Sequence, residues 1–279
     1  MSEKNIKIFI DKIRGILYLQ NYACNLKYNY PAQMFATIDF LIDRGEKFYN
    51  NEFDVSEYWV YLRSIEKKYI SKSDNLNSLF NSLDRDEEAK RLYINGEISY
   101  AFYTRIPTSI IYNIKNILIS DSLNNNALSD IRKNCLITNY GYKSVISGWI
   151  ICLAIISIIK NKKNIKIYIY NSIKLLLPLL TKDYSIENIN EYLKIFKTKK
   201  TDSDDPIVEI LWLVDIIDMI DNPDNLNIDK IFANIKNEYA MEASGAILGC
   251  LLGYEKIKSF KSSNDIEKKM ETLITKICS

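Results

Sequence analysis

Residues 245–253 read Gly-Ala-Ile-Leu-Gly-Cys-Leu-Leu-Gly, and this stretch decides what kind of fold the chain can adopt. Its three glycines, out of only 8 in the whole chain, stand four residues apart, so on an α-helix they lie along one face. A helix face without side chains lets a second backbone approach closely. The segment therefore predicts a buried helix built for tight packing, with Gly249 facing a neighbouring backbone.

The composition of the whole chain also favours helices. With 279 residues, of which 47% are hydrophobic, the chain is long enough to bury a sizeable core. Its 8 glycines and 5 prolines are too few for a many-stranded sandwich or barrel, because each short strand there needs a turn. Residues 165–170 alternate like a strand, but Ile165, Ile169 and Ile173 also fit helical spacing, and we predict a helix. The predicted fold class is all-α.

Capping signals indicate where several helices begin. Asp54 with Glu57 resembles a capping box. Asp205 before Pro206 combines a cap with a proline at the first helical position, and apolar residues then recur at helical spacing as far as Ile217. Three further boundaries are predicted: a helix start at Pro31, its end at Gly45, and a cap formed by Ser262 with Asp265.

The longest apolar run, residues 145–159, bears on how the chain is organised. Its fifteen residues fall short of the roughly 20 that a spanning helix needs, so we predict a central core helix. The apolar stretch at residues 6–19 is interrupted by Asp11, Lys12 and Arg14, unlike a secretory signal, and we expect a cytoplasmic protein. Because no Gly/Ser-rich or Pro-rich linker divides the chain, we predict one domain spanning residues 1–279.

The composition excludes several functional classes. The chain has no histidine, so catalysis by Ser-His-Asp or Cys-His groups and zinc sites built on histidine are excluded. Its 5 cysteines are scattered without metal-site or redox spacing, and we expect them to be buried thiols in a reducing compartment. A net charge of +2 gives no overall field, so we expect neither a nucleic acid nor a membrane as partner.

Five short stretches occur in an order typical of one enzyme family. They are DKIRGILYLQNYACNL from Asp11, Gln33-Met34, Arg105-Ile106-Pro107, Leu136-Ile137-Thr138-Asn139 and the glycine helix at residues 245–253. Together they resemble the ADP-ribosylglycohydrolase family, whose last helix has the form Gly-Ala-Ile-Ala-Gly-Ala-Leu-Leu-Gly. The resemblance covers nearly the whole chain and implies a single-domain helical bundle of that type. The alternative is a helical bundle that matches the family by chance.

The resemblance also implies what has become of the active site. Members of the family hold two magnesium ions, which position ADP-ribose and the attacking water, and such a centre needs many oxygen ligands. The corresponding positions here retain one carboxylate, that of Glu242. These positions are Cys24, Asn29, Tyr30, Pro31, Ala240, Glu242 and Ala243. The resemblance therefore implies a degenerate site with no catalytic residue, no magnesium and no other cofactor.

Two pairs of aspartates could in principle replace the missing magnesium ligands. Asp39 and Asp43 stand four apart on one expected helix, and Asp215 and Asp218 stand three apart on another, so each pair shares a helix face. With no second cluster in a recognisable site, we interpret them as solvent-facing charges on amphipathic helices.

The expected function is therefore binding. We expect a pseudoenzyme with a protein partner, for example an immunity or antagonist protein against an ADP-ribosylating toxin. One alternative is a module that binds an ADP-ribose-like nucleotide without cleaving it, and an active hydrolase with rearranged acids is a third. Tyr18, Tyr22 and Tyr30 would line the degenerate site and offer stacking surfaces to a nucleotide. The interpretation we favour is that these rings fill the space vacated by the metals.

Overall fold

The structure, a computed structural model, describes residues 3–27, 32–49, 54–66, 82, 85–94, 102–119, 125–260 and 264–278. Within these ranges the chain forms fourteen α-helices and no β-strand, which confirms the all-α prediction. The helices are α1 (Glu3–Lys27), α2 (Ala32–Tyr49), α3 (Val55–Glu66), α4 (Arg85–Ile94), α5 (Phe102–Ile119), α6 (Asn125–Leu136), α7 (Tyr142–Ile159), α8 (Ile165–Leu176), α9 (Ile186–Tyr192), α10 (Pro206–Met219), α11 (Ile228–Asn234), α12 (Glu238–Leu252), α13 (Tyr254–Ile257) and α14 (Asn264–Cys278).

The closest helix contact joins α1 to the glycine-bearing helix α12. A Cβ atom added at Gly249 would lie 2.0 Å from the carbonyl oxygen of Gly15, and one added at Gly15 would lie 2.1 Å from that of Gly249. Farther along, a Cβ at Gly245 would lie 2.6 Å from the carbonyl oxygen of Leu19. The two backbones touch because neither carries a side chain at the crossing. The prediction that Gly249 faces a neighbouring backbone is confirmed.

Two charged residues of α1 secure the end of this crossing. Lys12 Nζ donates hydrogen bonds to the carbonyl oxygens of Cys250 (2.7 Å) and Leu251 (3.1 Å), where α12 ends. Asp11 Oδ1 accepts a hydrogen bond of 3.1 Å from the backbone N–H of Glu255 in the first turn of α13. A cation at a helix C-terminus and an anion at a helix N-terminus both complement the helix dipole.

Helix α7 lies at the centre of the bundle, with α5, α6, α8 and α12 packed around it. Every residue from Ser144 to Ile159 is buried, and the indole N–H of Trp149 donates to the carbonyl oxygen of Leu128 at 3.0 Å. Among the described residues it is the single helix long and apolar enough to cross a membrane, with a mean hydropathy of 1.9. Since 94% of it is buried within the fold, it serves as the predicted core helix.

Most of the testable helix boundaries agree with the sequence. Asp205 Oδ1 caps α10 by accepting from the N–H of Ile207 at 3.0 Å, and Asp54 caps α3 by accepting from the N–H of Ser56 at 2.7 Å. Residues 165–170 are helical, as predicted. The predicted helix end at Gly45 is wrong, because α2 continues to Tyr49. An interior glycine costs a helix only about 1 kcal/mol, which the packing of α2 offsets. The predictions at Pro31 and Ser262 lie outside the described residues.

The two aspartate pairs connect helices to one another. The carboxylate of Asp39 pairs with Lys269 of α14, and that of Asp43 accepts from the hydroxyl of Tyr61 at 2.9 Å. The carboxylate of Asp215 pairs with Lys166 Nζ at 2.7 Å. Asp218 accepts from the backbone N–H groups of Ile165 (2.7 Å) and Lys166 (3.1 Å) and so caps α8 from a different helix. All four carboxylates thus have structural partners.

Candidate functional site

The crossing of α1 and α12 brings together two residues at positions that the family resemblance assigns to the magnesium site. Cys24, near the end of α1, donates from its Sγ to Oε1 of Glu242 on α12 over 3.2 Å. The residues are 218 positions apart in the chain, and they are 1% and 4% exposed. They meet because Gly245, one turn beyond Glu242, lets α12 rest against the backbone of Leu19. The structure therefore forms a buried thiol–carboxyl pair.

Burial decides the chemical state of the Cys24 thiol. Burial raises the pKa of Cys24 far above its ordinary value, and the nearby carboxylates of Glu242 and Glu238 raise it further. A thiol in this state keeps its proton at neutral pH and acts as a hydrogen-bond donor. Nucleophilic attack and metal ligation both require the thiolate. Cys24 therefore serves Glu242 as a hydrogen-bond partner.

Of the remaining positions that the resemblance points to, the two that the structure describes add no ligand oxygen from a side chain. Ala240 and Ala243 are fully buried in α12, beside Ser244, whose Oγ is buried and has no hydrogen-bond partner among the described residues. Asn29, Tyr30 and Pro31 lie outside the described residues. In the part of the chain that the structure describes, no three His, Cys, Asp or Glu residues are grouped to hold a metal ion. A single carboxyl group that accepts a hydrogen bond from a thiol does not fit the oxygen-rich coordination of two magnesium ions.

Tyr18, on α1, packs inside the protein. Its side chain is 3% exposed, and its hydroxyl donates to the carbonyl oxygen of Phe260 at 2.5 Å. Its ring stands edge-on to that of Tyr254, with 5.2 Å between the ring centroids. The ring and the hydroxyl group of Tyr18 therefore both have partners within the fold. This placement favours the space-filling interpretation for Tyr18.

Tyr22, one turn later on α1, borders a surface groove. The groove has a volume of about 300 Å³ and is lined by Tyr22, Leu26, Asp229, Phe232, Ala233, Ile235 and Met241. The ring of Tyr22 lies 4.8 Å from that of Phe260 and 6.2 Å from that of Phe232, measured between centroids. Burial raises the pKa of Tyr22, and the charge of Asp229 raises it further, so its hydroxyl stays protonated at neutral pH. Tyr22 therefore contributes an aromatic edge and a hydroxyl to an accessible groove.

Three of the family-like stretches meet in a second cluster, which the sequence did not single out as a site. The side chain of Arg105 is fully buried, and it donates to Gln33 Oε1 (2.5 Å), Thr138 Oγ1 (2.9 Å) and Asn134 Oδ1 (3.2 Å). Residues from α2, α5 and α6 are thereby joined by a network of polar groups. The available signal was an arginine in an otherwise apolar stretch of α5. A fully buried network of this kind fixes the relative positions of its helices.

Comparison with known proteins adds no assignment. No protein-family model matches the chain, and no curated protein matches its sequence. The function must therefore be inferred from three features of the structure. They are the buried Cys24–Glu242 pair, the polar network around Arg105 and the groove beside Tyr22.

Proposed function

We propose that this protein acts by binding a partner protein and not by hydrolysis, as a catalytically inactive pseudoenzyme of the ADP-ribosylglycohydrolase type. The observation that carries the proposal is the Cys24–Glu242 pair. At the position where the family resemblance expects a magnesium centre, the one remaining carboxyl is buried and accepts a hydrogen bond from a protonated thiol.

The resemblance itself gains support from two contacts. Residues aligned with the family's first and last motifs, Cys24 and Glu242, touch each other although they are far apart in the chain. Gln33, Arg105 and Thr138, which belong to three other family-like stretches, are joined by hydrogen bonds. A chance similarity of separate helices gives no reason for these stretches to meet in two clusters.

The chemistry of the pair argues against turnover. Hydrolysis of a glycosidic bond at neutral pH needs an activated water or strong stabilisation of a cationic transition state. A single general base contributes about 10² to 10⁴ in rate, well below the roughly 10⁶ or more that is typical of enzymes. Glu242 is also enclosed by the packing of α1 against α12. Binding, by contrast, needs only a complementary surface.

The partner we propose is an ADP-ribosylating toxin or a similar protein, which the chain would cover as an immunity or antagonist factor in the cytoplasm. This part of the proposal rests on analogy with the family fold. Where a gene for an ADP-ribosyltransferase toxin lies beside the gene for this protein, that toxin is the partner to test first. We expect the purified chain to inhibit that toxin stoichiometrically and without magnesium.

A hydrolase assay tests the catalytic side of the proposal. With ADP-ribosylated protein and magnesium, we expect no release of ADP-ribose by the wild type or by Glu242→Gln. Glu255→Gln, which changes an exposed carboxyl on α13, is the matched control. Magnesium-dependent release that disappears in Glu242→Gln and persists in Glu255→Gln would show that the site is active.

The groove beside Tyr22 favours a second candidate, the binding of an ADP-ribose-like nucleotide without cleavage. Its volume of about 300 Å³ lies at the lower end of known ligand pockets, and aromatic rings border it. The test is the melting temperature with and without ADP-ribose, in the presence and absence of magnesium. A rise that is lost in Tyr22→Ala and retained in Tyr140→Ala, an exposed tyrosine elsewhere, would support this candidate. No rise in the wild type would exclude it.

A further inference from the structure

One segment of the chain has a local excess of positive charge. Residues 160–182 contain six lysines and no aspartate or glutamate, whereas the whole chain has 37 basic and 35 acidic residues. The six are Lys160, Lys162, Lys163, Lys166, Lys174 and Lys182. The remainder of the chain is therefore net acidic. The overall balance conceals a local basic surface, which consists of α8 and the residues on either side of it.

The outward face of α8 is also apolar to an unusual degree. Ile165, Ile169 and Ile173 point into the core, whereas Ile167 is 61% exposed and Leu175 is 79% exposed. Leu179, just beyond the helix, is 41% exposed. We define the α8 ridge as Ile167, Asn171, Lys174 and Leu175, which helical spacing places on the side opposite the core, together with the exposed Leu179 in the short 3-10 helix that follows.

Acidic groups beside this segment already have partners. Asp183, which follows it directly, pairs with Arg132 at 2.5 Å. Asp215 pairs with Lys166, and Asp218 accepts from the first two N–H groups of α8. Lys162 and Lys174 lie over the rings of Tyr168 and Tyr170, a contact that leaves their charge uncompensated. Lys163 and Lys182 are exposed and form no ion pair with any described residue. An occupant of the α8 ridge must therefore bring negative charge together with an apolar surface.

We propose that the α8 ridge binds peripherally to an anionic lipid surface, with its aliphatic side chains among the acyl chains and with Lys174 and the flanking lysines against the headgroups. This replaces the expectation, drawn from the net charge of the whole chain, that no membrane is a partner. Clusters of lysines on an amphipathic helix favour anionic lipids. Lysine is depleted in protein–protein interfaces, which argues against a protein partner at this surface. A second copy of the chain docked by the same face would set lysines against lysines, and a nucleic acid would leave Leu175 and Ile167 in water.

The contact is superficial, because the opposite face of α8 belongs to the protein core. Only the side chains on the α8 ridge can enter the bilayer, to the depth of the headgroup and acyl boundary where interfacial helices lie. The binding therefore depends both on the attraction of the lysines to the headgroups and on the burial of the aliphatic side chains. The attraction weakens at high ionic strength. It is independent of the function proposed for the Cys24–Glu242 site.

Flotation of the full chain with lipid vesicles tests the proposal. We expect binding to phosphatidylcholine vesicles that contain phosphatidylserine and little binding to phosphatidylcholine alone. Lys163→Gln combined with Lys174→Gln should lower the partition coefficient about 25-fold, or about fivefold for each lysine. Leu175→Asp should lower it at least about tenfold, because an apolar side chain no longer leaves water.

The control is Val60→Asp on α3, which replaces an apolar side chain that is 64% exposed and lies outside the basic segment. All variants alter exposed side chains, and circular dichroism verifies that each is folded. The proposal is overturned by equal binding to neutral vesicles, by wild-type binding of Leu175→Asp, or by an equal loss in Val60→Asp. Tighter binding to duplex DNA than to the anionic vesicles would also overturn it, in favour of a nucleic-acid partner.

Discussion

Gly15 and Gly249 are the residues on which the packing of the bundle depends most directly. Each occupies a position where even one additional carbon atom would overlap the carbonyl oxygen of the other. The atoms in the way belong to the backbone, so they cannot move aside as a flexible side chain can. Substitution at either residue must therefore separate the two helices or distort them, and the effect extends along α1 to the Cys24–Glu242 pair.

The first prediction concerns this glycine contact. Gly249→Leu should lower the free energy of unfolding by roughly 1 to 3 kcal/mol or more, because overpacking forces the backbones apart. The measurement is chemical denaturation followed by circular dichroism. Gly15→Ala and Gly249→Ala should each destabilise the protein, and together they should cost less than the sum of the single changes, because both open the same contact. An unchanged melting temperature in Gly249→Leu would contradict the packing described above.

The second prediction concerns the buried thiols. Burial raises the pKa of Cys135 and of Cys250 to about 12, and it raises the pKa of Cys24 and Cys152 as well. Iodoacetamide should therefore leave these four cysteines unlabelled in the native protein at neutral pH, as mass spectrometry of the digested protein can measure. Labelling in denaturant is the control. Rapid labelling of Cys24 in the native state would show that the pair with Glu242 is open.

The same thiols give the stability a defined dependence on pH. An unfolded thiol has a pKa of about 8.5, below the folded values, so the unfolded state loses protons first as the pH rises. The stabilisation is complete below that pH and declines above it. Denaturation curves at increasing pH should therefore show a falling free energy of unfolding from about pH 8.5 upward. A constant value over that range would contradict the assigned burial.

At the scale of helices, local signals in the sequence predicted local structure. They did not predict contacts between residues that are far apart in the chain. Asp205 and Asp54 cap the helices that follow them, so their role is visible within a few residues of sequence. Asp218 caps α8 from 53 residues away, which no local pattern reveals. Only the family resemblance placed Cys24 and Glu242 at one site, and no local pattern in the sequence links them. Whether Tyr18 or Tyr22 faces solvent depends on the packing around α1, and the sequence left this open.

The third prediction tests the cap that α10 provides to α8. Asp218→Ala removes the acceptor for two N–H groups of α8, and by analogy with helix caps it should cost about 0.5 to 2 kcal/mol of stability. Asp221→Ala, which removes an exposed carboxylate in the turn after α10, should change the stability by less than about 0.5 kcal/mol. The two variants are to be compared by thermal denaturation. Equal effects would indicate that the loss of charge, and not of the cap, is responsible.

At the scale of the whole molecule, one hydrophobic core connects the first described helix to the last. Buried side chains from Phe9 on α1 to Ile277 on α14 belong to the same cluster. The fold class followed from composition and periodicity because these are properties of the whole chain. The local concentration of lysines around α8 was also present in the sequence, but its significance depends on the exposed apolar side chains beside it, which only the fold establishes.

The fourth prediction follows from this shared core. Thermal unfolding should occur as a single cooperative transition, with the calorimetric enthalpy equal to the van't Hoff enthalpy, because no group of the described helices has a separate core of comparable size. Differential scanning calorimetry measures both quantities. Two resolved transitions would show that parts of the bundle unfold independently.

The pairing of α1 with α12 has a consequence for biosynthesis. Lys12 and its acceptor Cys250 are 238 residues apart, so α1 leaves the ribosome long before its partner exists. At about 5 to 20 residues per second, translation needs roughly 10 to 50 seconds to reach α12. During that time the glycine face of α1 has nothing to pack against, and the nascent chain cannot complete its core. The bundle must therefore close after synthesis is nearly complete, and until then the apolar surface of α1 is open to contacts with other chains.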